Sequence, residues 1–339
     1  MMHDERTLPE VLRRATGQKA RGIDPMTAHA SARRYYRAHL AGGGTRVLMV
    51  LPQERTKAEE ITDGSLQVRE LPFLEVQRRL KQAGLPVPDV HAYAEADGVV
   101  VLEDLGDVTL EDYLVSFDAQ DFEVYYREAV RLVTDLQRNA DTIAAGSIVE
   151  QRRFDARVLE LEFDHFREYG LEARLGVRLD TRERARFDEC ARDIVARLVA
   201  LPPTVVHRDF QSRNLMLRDG KLALIDFQDA LIGPYVYDLV ALLRDSYIVL
   251  ERPFVERMLG WYRQLMPEAP PTLQRDFDLQ TVQRKLKDAG RFVFIDQVKG
   301  NPSFLRFFDP SVRYAQEALK RLGAWPDLVE LVARVGKAA

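Results

Sequence analysis

Apolar residues follow a strand-like pattern in the first third of the chain and a helical pattern after it. Residues 32–40 and 46–51 are rich in aromatic and aliphatic side chains, which predicts two strands. The glycines at 42–44 lie between them, so we predict that the two strands form a hairpin. Apolar residues at helical spacing predict a helix over 71–82, and the apolar run 99–102 predicts a further strand.

From Thr109 onward the pattern becomes helical. Apolar residues recur at intervals of three and four in seven segments, which we predict as helices: 122–137, 155–169, 181–200, 237–249, 253–265, 279–296 and 311–322. Residues 204–227 interrupt this series with short β-like runs around polar loops. A sheet-rich part followed by a helical part is typical of an α+β protein with two lobes.

Length and composition agree with a two-lobed globular protein. The chain has 339 residues, of which 46% are hydrophobic and 30% charged. No apolar run approaches the ~20 residues that span a bilayer, and residues 1–14 lack the apolar core of a secretory signal. The single cysteine, Cys190, excludes an internal disulfide and a cysteine-built metal site. We therefore expect a cytoplasmic protein.

The interruption at residues 204–227 contains the most specific chemical pattern of the chain. It reads VVHRDFQSRNLML and, a few residues later, LALIDFQDA. Asp209 and Asn214 have the spacing H-x-D-x-x-x-x-N, and Asp226 follows an apolar strand, which is the arrangement of the catalytic and metal loops of kinases. Asp209 is the predicted base for the acceptor hydroxyl, whereas Asn214 and Asp226 are predicted Mg²⁺ ligands.

Two other residues of this pattern have less specific roles. We predict that His207 supports the loop through backbone contacts rather than transferring a proton. Asp229 could be a second metal contact, although a solvated loop acid or a helix cap fits the pattern as well.

These segments are similar to those of the aminoglycoside phosphotransferase/choline kinase superfamily, whose loops usually read HxDxxxxN and IDxx. Within it, the chain most resembles the bacterial anomeric kinases of cell-wall recycling, which act on N-acetylmuramate and N-acetylglucosamine. The matching segments extend over nearly the whole chain: residues 30–37, 207–214, 225–230, 237–239, 243–245 and 283–287, with Gly290 and Phe292. The resemblance implies a two-lobed protein-kinase-like fold, with a nucleotide-binding lobe over residues 1–104 and a helical lobe with the acceptor site over 105–339.

The resemblance also implies two sets of nucleotide contacts. The loop 27–33, with Ser31 and Arg33, would cover the phosphates through backbone N–H groups and side chains. Glu103 and Leu105 would lie in the hinge between the lobes, where backbone groups pair with the adenine edge. Taken alone, either segment could be an ordinary loop. ATP is the expected phosphate donor, with GTP left open.

One position departs from the usual kinase pattern. Kinases place a lysine for the α- and β-phosphates on the third strand, but here the expected position falls at Met49 or Val50. Its carboxylate partner, Glu70 or Glu75, therefore has no evident cation. The resemblance implies the same loss in the cell-wall sugar kinases. Three cations are candidates to replace the lysine: Arg33, Arg34 and Lys57.

The acceptor site is expected among the helices of the second lobe. The resemblance implies that Glu160 contacts the sugar, and Arg284 and Lys287 lie one turn apart, where they could face an anionic substituent. By pattern alone, Glu160 could equally be a solvated acid, and for Arg284 and Lys287 a surface cation is the simpler interpretation. In related kinases, an aspartate at the position of Asp238 binds the catalytic-loop backbone; otherwise it is a helix N-terminal acid.

Charge helps to choose among the possible acceptors. The net charge is −4 with no basic block, so we expect no nucleic-acid partner. Residues 151–339 hold 31 of the 49 basic and 28 of the 53 acidic residues, a net of +3, which leaves −7 for residues 1–150. A positive acceptor region suits a neutral or anionic sugar better than an aminoglycoside or another amino alcohol. A pseudokinase that only binds ligands is a third interpretation, which the intact catalytic pattern disfavours. We expect a sugar and a nucleotide as partners, and neither a membrane nor a partner protein.

Overall fold

A five-stranded antiparallel sheet forms the N-terminal part of the protein. The computed structural model describes residues 7–26, 33–52, 68–116 and 122–336. The strands follow the order β1-β2-β3-β5-β4. The elements of this part are α1 (Leu8–Thr16), β1 (Ala20–Met26), β2 (Arg34–Leu40), β3 (Thr45–Val50), α2 (Pro72–Gln82), β4 (Val90–Ala94) and β5 (Val99–Glu103).

The predicted hairpin is present between β2 and β3. These strands pair antiparallel up to His39 opposite Thr45, and Gly43 and Gly44 in the turn have φ values of 94° and 78°. Positive φ is a conformation that glycine adopts without a steric penalty. The apolar pattern did not predict strand β1, because Gly22 and Pro25 interrupt it.

Strand β3 is apolar on both faces. Val47 and Met49 belong to the core that also contains Phe73 of α2. Leu48 and Val50 belong to a separate core on the other face of the sheet, with Leu8 and Leu12 of α1. Alternate residues of a strand point to opposite faces, so the sheet is covered by a helix on each side.

The C-terminal part is mostly helical, which confirms the predicted α+β class with a small sheet lobe and a large helical lobe. Two short antiparallel pairs interrupt the helices, formed by β6 (Pro203–Val206) with β9 (Leu231–Pro234), and by β7 (Leu215–Arg218) with β8 (Lys221–Leu224). The helices are α3 (Leu110–Ser116), α4 (Phe122–Arg138), α5 (Ala140–Ala144), α6 (Ile148–Gln151), α7 (Ala156–His165), α8 (Thr181–Val199), α9 (Tyr237–Leu243), α10 (Arg252–Leu265), α11 (Leu273–Lys299), α12 (Phe308–Leu322) and α13 (Pro326–Val335).

Helices α9 and α11 differ most from their predicted lengths. Helix α9 ends at Leu243 rather than at 249. After it, the Asp245 side chain accepts hydrogen bonds from the Tyr247 N–H and from the distant Ser212 N–H, and these compete with a further helical turn. Helix α11 is longer than predicted, from Leu273 to Lys299. At Gly290 it approaches the end of α7 so closely that a Cβ atom would lie 2.8 Å from the Phe166 Cα atom. Glycine at 290 therefore allows these two segments to pack together.

Candidate active site

A cleft of about 1260 Å³ lies between the sheet and the helices. Its walls include Val47 and Leu102 from the sheet, the loops after β6 and β8, and parts of α7 and α11. Asp209, Asn214 and Asp226 all line it. The sequence pattern and the fold thus bring the predicted base and the predicted metal ligands to one cavity.

Residues 207–214 form a loop that we call the catalytic loop. A buried carboxylate holds its N-terminal end. Asp238, 1% exposed at the start of α9, accepts hydrogen bonds from the N–H of His207 at 2.6 Å and of Arg208 at 3.1 Å. Arg208 has a φ of 79°, an unfavourable conformation for a side chain with a Cβ atom. The two hydrogen bonds stabilise this backbone, which determines where the next residue, Asp209, points.

A second buried carboxylate holds the other end of the loop. Asp245 accepts hydrogen bonds from the Ser212 backbone N–H at 2.9 Å and from its hydroxyl at 2.6 Å. Asn214 Nδ2 donates to the backbone oxygen of Asp209 at 2.8 Å, which leaves Asn214 Oδ1 as its acceptor atom. The loop is therefore fixed on both sides of the predicted base.

The Asp209 carboxylate is surrounded by cations. Its side chain is 39% exposed, and Arg284 Nη2 lies 3.6 Å from Oδ1. Burial raises the pKa of Asp209, but the positive charges of Arg208, Lys287 and Arg284 outweigh it, so the pKa is below its ordinary value. The carboxylate is consequently ionised at neutral pH and can accept a proton or a hydrogen bond from a hydroxyl.

Residues 225–230, which we call the metal loop, are hydrogen-bonded to the catalytic loop. His207 Nε2 lies 3.0 Å from the backbone oxygen of Ile225, and the Ile225 N–H donates to the backbone oxygen of Asn214 at 3.1 Å. The His207 ring is 2% exposed. These contacts give His207 a bridging position between the loops and keep its ring away from solvent.

Asp226 lies in the metal loop with a φ of 62° and a half-exposed side chain. Gln228 Nε2 donates to Asp226 Oδ1 at 2.9 Å and to Asp229 Oδ2 at 3.1 Å, and Arg33 Nη1 is 3.7 Å from Asp226. Burial and the nearby Asp209 charge raise the pKa of Asp226 above its ordinary value. A cation bound between the two carboxylates would relieve this repulsion.

These residues fit a magnesium ion that depends on phosphate ligands. In the part of the chain that the structure describes, no three His, Cys, Asp or Glu side chains converge as a metal-holding group. Asp226 and Asn214 nevertheless both line the cleft and carry oxygen atoms of the kind that magnesium binds. Magnesium commonly takes one or two protein carboxylates and completes its shell with phosphate and water.

The positions at which other kinases place the third-strand lysine and its carboxylate have other contacts in this protein. Met49 is 0% and Val50 4% exposed, both in apolar cores. Glu75 accepts a hydrogen bond from the Ile148 N–H at 3.2 Å, and Glu70 pairs with Arg78 at 3.1 Å, so both carboxylates have other partners. Of the three candidate cations, Arg33 lines the cleft, Arg34 donates to the Tyr36 hydroxyl at 3.3 Å, and Lys57 lies outside the described residues, as does Ser31.

The segment that was predicted to be the hinge, around Glu103 and Leu105, contains ion pairs that the sequence did not reveal. Arg37 donates to both carboxylate oxygens of Asp104, at 2.7 and 3.0 Å. Arg218 donates to Glu103 Oε1 at 2.8 Å and to the backbone oxygen of Asp104 at 2.9 Å. The Glu103 N–H is bound to the Asp89 oxygen at 2.8 Å, and Leu105 lines the cleft next to it. Sequence spacing gave no signal for these pairs because their members are far apart in the chain.

The structure corrects two predictions for the acceptor site. Glu160 is exposed and does not line the cleft, whereas Glu162 is 3% exposed and does line it. Residues two apart lie on nearly opposite sides of a helix, which explains the difference. Arg284 is 1% exposed and donates from Nη1 to the Arg208 backbone oxygen at 2.9 Å, so it supports the catalytic loop from below rather than facing an open pocket. Lys287 does line the cleft.

Comparisons with known proteins agree with this geometry. Residues 22–274 match the phosphotransferase enzyme family known as APH. An N-acetylmuramate/N-acetylglucosamine kinase of Pseudomonas aeruginosa is 31% identical over 93% of this chain and 89% of its own length. A protein of the same name from Neisseria meningitidis serogroup B is 31% identical over 90% of this chain and 89% of its own length.

A solved structure shows the same fold. Spectinomycin phosphotransferase APH(9)-Ia, in complex with ADP and spectinomycin, has a TM-score of 0.61, with 12% sequence identity and 99% of both chains covered. This likeness confirms the two-lobed kinase fold. Within residues 7–26, 33–52, 68–116 and 122–336, a helix able to span a membrane is absent.

Proposed function

Since this chain belongs to the phosphotransferase enzyme family, we propose that it transfers the γ-phosphoryl group of ATP to the anomeric hydroxyl of an N-acetylated amino sugar. The acceptors in this proposal are N-acetylmuramate and N-acetylglucosamine. The choice depends on one observation, the 31% identity over at least nine-tenths of the chain to kinases that carry both sugars in their names. The catalytic and metal loops at the cleft support the chemistry.

Asp209 is the base in this reaction. It orients the acceptor hydroxyl and takes its proton while the hydroxyl oxygen forms a bond to the γ-phosphorus. The bond from that phosphorus to the bridging oxygen breaks, so the products are a sugar 1-phosphate and ADP. An anomeric hydroxyl is more acidic than an ordinary alcohol because the ring oxygen withdraws electron density. One ionised carboxylate such as Asp209 is therefore an adequate base.

The nucleotide is held by both lobes. Asn214 and Asp226 would hold Mg²⁺, which neutralises charge on the β- and γ-phosphates when it is bound. Arg33, with Nη1 at 3.7 Å from Asp226, is the described cation that we assign to the phosphates in place of the missing lysine. Backbone groups at Glu103 and Leu105 would bind the adenine edge.

The charges of the acceptor half support a neutral or anionic sugar. Lys287, Arg291 and Lys299 of α11 line the cleft, as does Asp288, whose Oδ1 atom lies 3.6 Å from Lys287 Nζ, so the side of the helix that faces the cleft keeps a net positive charge. A carboxylate on the sugar, such as that of muramate, could pair with this side of the helix. An aminoglycoside carries several positive charges and would be repelled by it.

The chain also divides naturally at the hinge. Strand β5 ends at Glu103 and the next helix begins at Leu110, so we assign residues 1–104 to nucleotide binding and 105–339 to catalysis and acceptor binding. The use of ATP as phosphate donor fits the expected cytoplasmic location.

A coupled nucleotide-turnover screen tests this proposal. Purified protein with ATP or GTP and Mg²⁺ would be assayed with N-acetylmuramate, N-acetylglucosamine, glucose, an aminoglycoside and choline. We expect turnover with the two amino sugars. Turnover with glucose, which lacks the N-acetyl group, should be lower by about tenfold or more. The product should be a single anomer of a non-reducing sugar 1-phosphate, with phosphorus coupling to the anomeric proton in its NMR spectrum. Coupling to any other carbon's proton would refute the anomeric assignment and leave the kinase assignment intact.

A further inference from the structure

Glu162 in α7 has an unusual environment for a carboxylate. Its side chain is 3% exposed, yet the residue lines the cleft. Oε2 accepts a hydrogen bond from Gln283 Nε2 of α11 at 2.5 Å. Oε1 is buried and has no hydrogen-bond partner among the described residues. An unpartnered buried carboxylate oxygen is costly in a folded protein, so a donor from outside the chain is expected to satisfy it.

Glu162 belongs to the same charge cluster as the catalytic carboxylate. Burial lowers the pKa of Lys287, but Tyr237, Glu162 and Asp288 outweigh it and raise the pKa above its ordinary value. The charges of Arg208 and Lys287 also lower the pKa of Asp209. The charge of Glu162 in turn helps to raise the pKa of Arg208. The Tyr237 hydroxyl, close enough to act on Lys287, is likewise buried and without a hydrogen-bond partner among the described residues. Arg284, with Nη2 at 3.6 Å from Asp209, also lies 4.8 Å from the centre of the Tyr237 ring, so Tyr237 is close to the same cluster of charges.

The chemistry of Oε1 determines what it can bind. An ionised carboxylate only accepts hydrogen bonds, so its ligand must present a hydroxyl or an N–H group. Both amino sugars of the proposed function carry an amide N–H and several ring hydroxyls. At the position where muramate carries its lactyl ether, only glucosamine has a donor.

We propose that Glu162, held in place by Gln283, determines acceptor specificity by accepting a hydrogen bond from an N–H or hydroxyl that both amino sugars share. This inference rests on the proposed function for the identity of the sugars. It gives Glu162 a role distinct from that of the cations on α11, which would recognise the carboxylate that only muramate carries. Loss of Glu162 should therefore affect both sugars alike.

A pair of variants on one helix tests the assignment. Glu162→Gln keeps the size of the side chain but removes its charge and presents an amide that cannot satisfy both Gln283 and the sugar as acceptor. We expect KM for N-acetylglucosamine and for N-acetylmuramate to rise about tenfold or more, the scale of a hydrogen bond to a charged group. KM for ATP and the melting temperature should stay close to wild type. Glu160→Gln, on the exposed side of α7, is the matched control and should change neither KM.

Deoxy analogues identify the hydrogen bond itself. Wild type and Glu162→Ala would be compared on N-acetylglucosamine and on analogues that lack the N-acetyl group, the 4-hydroxyl or the 6-hydroxyl. If Glu162 binds one of these groups, one analogue should lose kcat/KM in the wild type but not in the variant, which is the coupling that a double-mutant cycle measures. The absence of coupling with every analogue, or an unchanged sugar KM in folded Glu162→Gln, would overturn the assignment.

Failure of the proposed function would look different. A wild-type protein that phosphorylates neither amino sugar would refute the proposed function. Glu162→Gln would then be assayed with the acceptor that the screen identifies. A raised KM for that acceptor with an unchanged KM for ATP would support a specificity role for Glu162, and an unchanged acceptor KM would refute it.

Discussion

The two halves of the cleft place their charges in different surroundings. On the acceptor side, Asp238, Asp245 and Arg284 are each 1% exposed and bind backbone groups of the catalytic loop. On the nucleotide side, the Arg37 and Asp104 side chains are only 18% and 7% exposed, but those of the neighbouring pair Arg218 and Glu103 are 46% and 34% exposed. Removal of one partner from a buried group leaves polar atoms unsatisfied, whereas water replaces an exposed partner. The buried groups of the acceptor half should therefore be sensitive to single substitutions, whereas the exposed Arg218–Glu103 pair of the nucleotide half should tolerate them.

The largest effect is expected at Asp209, which the buried groups position. Asp209→Asn removes the base but keeps the shape of the side chain, so turnover should fall by ~10²-fold or more. Nucleotide affinity should remain nearly intact, because that half of the cleft is unchanged. Steady-state kinetics and nucleotide titration would measure the two quantities. Wild-type turnover in a folded variant would contradict the role of Asp209.

The next effect concerns the boundary between the halves, where Asp226 and Asp229 share the amide of Gln228. Activity should need Mg²⁺ or Mn²⁺ and disappear with a chelator. Asp226→Ala should weaken metal-dependent nucleotide binding by about tenfold or more, the scale for loss of a charged ligand. Asp229→Ala, the matched control, should weaken it much less. Equal effects in calorimetric titrations would mean that the wrong carboxylate was assigned to the metal.

A smaller, pH-dependent effect should come from Asp238. Burial raises its pKa to about 6, although His207 and the backbone N–H groups partly oppose this. Because the folded pKa is raised, the folded protein holds a proton that the unfolded chain has lost between about pH 4 and 6. Asp238 thus favours folding most at low pH, and this contribution, on the order of 3 kcal/mol, is lost as pH rises through 6.

Protonation of Asp238 has the opposite consequence for activity, since it weakens an acceptor that holds the catalytic loop. We expect kcat to fall several-fold below about pH 6 in the wild type. Asp238→Asn should be slower throughout and lack this inflection. A pH–kcat profile at saturating substrates would show it, and an inflection that persists in Asp238→Asn would assign the titration to another group.

The smallest effect is predicted for the exposed hinge pair. Arg218→Ala removes the contact with Glu103, yet the free energy of unfolding should fall by less than about 1 kcal/mol, as is usual for exposed ion pairs. KM for ATP should change by less than about threefold. Chemical denaturation and steady-state kinetics would test both values. A loss of stability comparable to that of a buried group would remove the distinction between the two halves.

The sequence predicted the residues of the catalytic and metal loops better than those of the acceptor site. The spacing of Asp209, Asn214 and Asp226 is local, so a short pattern was enough to predict that they share a site. Glu160 was predicted and Glu162 was not considered, because the sequence does not show which side of α7 meets α11. Arg284 was expected near the surface because arginine is rarely buried, but its contacts with Arg208 and Asp209 come from a distant loop.

The fold followed the same rule. The hairpin between β2 and β3 was predictable from its glycines and flanking residues. Strand β1 could not be predicted from its apolar pattern because Gly22 and Pro25 interrupt it. Helix α9 was predicted too long because its apolar pattern continues beyond Leu243, whereas the hydrogen bonds of Asp245 with Tyr247 and the distant Ser212 favour its end there. Local sequence patterns thus predicted most helices and strands, but contacts between residues distant in sequence determine where some of them end.

The buried Met49 on strand β3 has a consequence for inhibitor selectivity. Compounds that compete with ATP and depend on a polar contact with a third-strand lysine would find no amine at this position, since Met49 is 0% exposed and packs in the core. Val47 from the same strand and Arg33 line the cleft nearby. A compound that places an apolar group beside Val47 and an acidic group near Arg33 should therefore discriminate between this enzyme and protein kinases that retain the lysine.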